Sequence, residues 1–149
     1  MNPVDAHRDA FVQAFLVRDR RERLRSKPAE FLHALCHRLP DWLDHRTALD
    51  LTGVRTPEAA TRLLVELTNA SEAVYLGPWS DLKPGEYQIK AAIAMAETYG
   101  GGAVSITPGQ LGYYITEQPN ARRFLLTTSH QLRDRAAELL ARPTPTPPR

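Results

Sequence analysis

The sequence predicts an α+β fold: a helical N-terminal half, then a β-α-β-β-β unit making a mixed four-stranded sheet, then a C-terminal helix. Three observations carry this. Apolar residues recur at helical spacing through the first seventy positions, between proline-marked starts. The character changes at Ala73, where short apolar runs bounded by Gly and Pro begin. The stretch from Tyr99 to Glu117, YGGGAVSITPGQLGYYITE, then reads as helix, stop, strand, tight turn, strand.

The first helix opens at Asn2-Pro3-Val4-Asp5, with a capping residue, a proline for the first turn and an acid for the positive end of the dipole. Val4, Phe11, Ala14 and Phe15 share one face, and Val12 and Leu16 widen it. RDRRERLRSK follows, with a local net charge of +4. Its ordinary role is a solvated helix face, where Asp19 and Glu22 pair with Arg23 and Arg18 four residues away. Ser26-Lys27-Pro28 starts the next helix, whose stripe of Phe31, Leu32, Leu35, Cys36 and Leu39 ends at Pro40. Asp41 to Asp44 suggests a capped turn, and Trp42, Leu43, Leu49 and Leu51 feed a core. Thr56-Pro57-Glu58 starts a helix with Ala60, Leu63, Leu64 and Leu67 inward.

Ala73 to Gly77 is the first strand, and Pro78-Trp79-Ser80-Asp81-Leu82-Lys83-Pro84-Gly85 is a loop. Glu86 to Glu97 reads as a helix with Ile89, Ala92, Ile93 and Ala96 inward. Its length suits a right-handed crossover to a parallel strand at Ala103 to Thr107. Gly100 caps that helix. A phosphate cradle needs glycines ahead of a helix N-terminus, and here they follow a helix, so nucleotide binding is not expected. Pro108-Gly109 forms a type II turn into Leu111 to Glu117. Tyr113 and Tyr114 then point to opposite faces, one into the core and the other to a contact surface. Arg123 to Thr128 is the fourth strand, and Ser129 caps a last helix with Leu132, Ala136, Leu139 and Leu140 inward. Residues 1–141 are expected to form one domain, and 142–149, RPTPTPPR, an extended proline-rich tail.

The AVYLGPWSDL, SITPGQLGYYITE and RFLLT segments, with FVQAFLVRDRRERL and FLHALCHRL upstream, resemble a small bacterial α+β protein type of no assigned activity. The resemblance implies that these segments form one domain and carries over no functional residue.

At 149 residues with 42% hydrophobic content, the chain can build a sizeable core. The formal charge of +2 argues against binding polyanions with the whole surface. Charge is segregated: residues 50 to 117 carry a net −4 between basic ends of +2 and +4. A single cysteine, Cys36, points to a reducing compartment, and the early charges Asp5, His7, Arg8 and Asp9 do not fit a secretory signal. With no long apolar run, membrane contact is not expected and a cytoplasmic location is.

The leading functional expectation is a non-enzymatic interaction or regulatory protein acting through a protein partner or a homo-oligomer. Its contact residues would come from Trp79, Ser80, Asp81, Tyr113, Tyr114 and Glu117, with Arg20, Arg21 and Arg23. The alternative is nucleic-acid binding through the arginine-rich segment 18–27. A second alternative is a small hydrolase or ribonuclease pairing His33 or His37 with Glu117 or Asp81. No cofactor is expected. His33 and His37, beside Cys36, have the four-residue spacing that lets two imidazoles share a metal ion, but no HExxH pattern accompanies them and no metal is expected.

Overall fold

The computed structural model describes residues 2–79 and 81–142. The chain is α+β, with helices in its N-terminal half and at its C-terminal end. Helix α1 (Pro3–Phe15) is capped by Asn2, whose Oδ1 accepts from the Asp5 amide at 2.9 Å. The arginine run forms its own helix α2 (Arg18–Ser26), followed by α3 (Pro28–His37) and the short α4 (Leu39–Trp42). Strand β1 (Ala48–Asp50) precedes α5 (Pro57–Leu67), which Thr56 caps as its Thr-Pro-Glu start predicts. Then come β2 (Glu72–Gly77), β3 (Gly85–Gln88), α6 (Ile89–Tyr99), β4 (Ala103–Thr107), β5 (Leu111–Ile115), β6 (Arg123–Thr127) and α7 (His130–Ala141).

The sheet has six strands rather than four, in the order β1-β6-β5-β4-β2-β3, and every neighbouring pair is antiparallel. The expected parallel pairing of β2 with β4 is therefore incorrect. The cause is β3, which takes Glu86 to Gln88 from the predicted helix and turns the chain back on β2. Since β3 and β4 both run against β2, they are parallel to one another, and α6 joins them across it. A crossover does exist, but its first strand is β3.

Helices cover both faces of the sheet. On one face α1, α2, α3 and α4 pack Phe11, Phe15, Phe31 and Leu35 on Val74, Leu76, Tyr114 and Leu126. On the other, α5 and α6 with Ala136 of α7 pack on Tyr75, Val104, Tyr113 and Leu125. This is the period-two alternation of strands with two buried sides. It overturns the expectation that one tyrosine of the pair is exposed, because Tyr113 and Tyr114 are both fully buried. Leu140 is also not inward, since it lies exposed on the outer side of α7.

Two buried polar groups tie helices to the sheet. Glu97 of α6 receives a two-pronged contact from Arg123 (Nε to Oε2, 2.8 Å) and a hydrogen bond from the Tyr113 hydroxyl. Burial, then the Glu97 charge, holds the Tyr113 phenol well above its ordinary pKa. On the opposite face His7 Nδ1 lies 2.7 Å from Ser105 Oγ, and burial lowers the imidazole pKa. Among the described residues no helix is long and apolar enough to cross a membrane. The expected proline-rich tail lies outside the described residues, apart from Arg142.

Candidate functional site

The candidate residues gather at two places, and the first is one end of the central strands. There β2 ends at Gly77, β4 begins at Ala103 and β5 runs out through Thr116 and Glu117, with Gly77, Ala103 and Tyr114 in register. The Gly100 to Gly102 segment crosses this end. Gly100 has φ +73°, and a Cβ there would meet the Thr116 carbonyl oxygen at 2.3 Å, so only glycine lets helix α6 stop against β5.

Trp79 and Asp81 both lie here. The Trp79 indole donates to the Gly100 carbonyl at 2.8 Å and meets Tyr99 edge-on at 5.3 Å. The Tyr99 hydroxyl donates to Asp81 Oδ2 at 2.6 Å, and that carboxylate raises the phenol pKa. These contacts brace the loop after β2 against the end of α6. The polar ends of Trp79 and Asp81 are thus engaged within the chain. Ser80, the third residue expected in this loop, lies outside the described residues. Tyr113 and Tyr114 offer no surface contact. Tyr114 instead donates its hydroxyl to the Leu35 carbonyl, which pins the last turn of α3 to β5.

That pin brings Cys36 and His37 beside Glu117. One ligand atom from each of the three lies within 4.8 Å of the others, and His37 Nδ1 is 3.9 Å from Glu117 Oε2. Gly101 sits between them, where a Cβ would touch Cys36 Cα at 3.4 Å and Glu117 Cγ at 3.5 Å. Burial, and then the Glu117 carboxylate, push the Cys36 thiol above its usual pKa, so it is not an activated nucleophile. His37 and Glu117, paired in sequence as acid–base candidates, do come together. Asp81 is tied to Tyr99 instead, and the His37–Glu117 separation exceeds hydrogen-bond reach.

The second place is a groove of about 430 Å3 between α2, α3 and α4. Arg20, Arg23, Arg38, His33 and Glu30 supply its charged and polar lining, and Leu24, Ala34 and Trp42 its apolar part. The three sequence-predicted arginines have separate tasks. Arg20 holds its guanidinium 4.6 Å over the Trp42 ring, in cation–π contact. Arg23 clasps Glu30 with two bonds of 2.6 and 3.0 Å, not Asp19 as spacing suggests. Arg21 turns inward to the Leu16 carbonyl at 2.9 Å and lies 3.9 Å from the buried carboxylate of Asp44. Hydrogen bonding from Arg46, helped by the Arg21 charge, lowers the Asp44 pKa. Sequence reasoning missed Arg38 and the groove role of Trp42. No local pattern marks them, because α4 must fold back on α2 before they face Arg20.

No known protein family, curated protein or solved structure matches the chain.

Proposed function

We propose that the chain is a small, non-enzymatic, cytoplasmic interaction protein of the regulatory kind, and that its α2–α3–α4 groove receives an acidic segment of a partner protein. One observation carries this reading. Three arginines and a histidine, against one glutamate, surround an apolar floor, and Arg20 is already held over Trp42 with its charge unpaired by Glu30, which takes Arg23. Arginine beside a half-buried tryptophan is the composition that concentrates binding energy at protein interfaces. Fixing the Arg20 guanidinium beforehand reduces the side-chain entropy lost on binding. A carboxylate fits the planar fork of Arg38, and an apolar neighbour in the same segment fits over Leu24 and Ala34.

Nucleic-acid binding is the weaker reading of the same surface. Its phosphate-contacting row is broken where Arg21 faces inward and Arg23 is clasped. Fluorescence anisotropy with a labelled Asp/Glu-rich peptide containing one leucine, run beside labelled single-stranded DNA, separates the two. The peptide should bind, and Arg20→Ala and Arg38→Ala should each weaken it by about tenfold, as interface arginines do. Arg133→Ala, on α7, should leave binding unchanged. Equal binding by all these variants, or binding of the DNA alone, would overturn the proposal.

A further inference from the structure

Cys36, His37 and Glu117 lie outside the groove and are not used by the proposed contact. They come from the end of α3 and from the residues just after β5, two elements held in fixed relation by the Tyr114–Leu35 hydrogen bond. We infer that this triad is a binding site for a thiophilic divalent transition ion, zinc by its donor set, with three protein ligands and a fourth position open to solvent.

The donor chemistry selects the ion class. A thiolate and an imidazole suit zinc and its neighbours, whereas calcium and magnesium require oxygen ligands throughout. Zinc bound through sulfur, nitrogen and oxygen at about 2.0–2.3 Å places tetrahedral ligand atoms roughly 3.3–3.8 Å apart. The His37–Glu117 pair is at 3.9 Å already, and the widest separation in the set is 4.8 Å, so closure takes about 1 Å. The side chains can supply that movement, since those of His37 and Glu117 are 53% and 41% exposed. Cys36 is half-buried and marks the inner end of the site. His33 lies beside His37 one turn earlier, with ring centroids 4.8 Å apart.

The three donors converge on one point, so a divalent cation there would be shared by the Glu117 carboxylate, the His37 imidazole and the Cys36 thiolate. Binding would release the thiol proton to solvent.

Cobalt is the probe, because thiolate ligation gives it a charge-transfer band in the near ultraviolet. The full chain should take up one equivalent of Co2+ with that band, and one equivalent of Zn2+ should remove it. Cys36→Ser should abolish the band, and His37→Asn and Glu117→Gln should each weaken binding by at least about tenfold. His45→Asn should change nothing. As a second readout, Zn2+ should slow iodoacetamide alkylation of Cys36, the chain's single cysteine, and Glu117→Gln should need at least about tenfold more Zn2+ for the same protection. Circular dichroism of the metal-free variants checks that they fold. Lack of uptake at about 100 μM metal, a weak-binding ceiling, would overturn the site. So would uptake without the thiolate band, or unchanged affinity in both His37→Asn and Glu117→Gln.

Discussion

Glu97 is the residue whose replacement should be felt most. Its side chain is 5% exposed and that of Arg123 is 11% exposed, so each charge depends on the other in place of water. Removing one partner of such a pair leaves the other uncompensated, which matters more than the net value of the pair itself. Glu97→Gln should therefore lower unfolding free energy by about 3 kcal/mol in urea denaturation. Glu97→Gln combined with Arg123→Met should lose less than the two single changes added together, because the orphaned charge is gone. A loss under about 1 kcal/mol for the single change would mean that water reaches the guanidinium after all. Neither Glu97 nor Arg123 stands out in the sequence. One falls among helix residues and the other opens a strand, and their meeting depends on α6 lying across β5 and β6.

The three-glycine stretch shows the same dependence one level up, in an element. Its reading as a helix stop holds: α6 ends at Tyr99 and Gly100 takes the positive φ of a cap. Gly102 is needed for another reason, close approach. A Cβ there would come within 2.4 Å of Ala96 Cα and 2.7 Å of the Ala96 carbonyl oxygen, both backbone atoms of α6. Gly102→Ala should push the helix from the sheet and cost about 3 kcal/mol or more. Gly53→Ala, with nothing within 4 Å of the new methyl, should stay within about 0.5 kcal/mol of wild type. Equal thermal stability of the two variants would show that α6 shifts freely. Legibility followed the reach of each signal. Caps at Asn2, Thr56 and Ser129 and the turn at Gly109 are local chemistry, and each was readable. Strand β3 was not, since Glu86, Tyr87 and Gln88 sit directly ahead of a strong alanine-rich helix signal that absorbed them. Missing that one reversal made β2 and β4 look parallel.

At the scale of the whole molecule, the two-sided helix cover decides which residues remain for function. It buried both tyrosines of β5, so a surface contact inferred from strand alternation vanished. It also brought α3 against β5, which is why His37 and Glu117, named as partners on chemistry alone, did meet. The same packing redistributes charge. Segment 18–27 carries six basic residues, enough on a uniform face to track a phosphate backbone. In the fold, Arg21 faces inward, Arg23 and Lys27 lie on Glu30, and Arg25 bonds Gln13. Among the described residues, Arg18, Arg20 and Arg38 are the arginines of this region left for phosphates. Counterion release then sets the expected salt dependence. About three phosphate contacts give a slope of log affinity against log salt near −3, whereas all six basic groups would give about −5. Duplex DNA titrated between low and physiological salt should therefore bind weakly, with the shallower slope. The acidic peptide, held partly by apolar contact with Leu24 and Ala34, should depend on salt less still. A DNA slope near −5 that falls by one unit in Arg21→Ala would mean that Arg21 leaves Leu16 to meet phosphate, and would make the arginine helix a nucleic-acid surface.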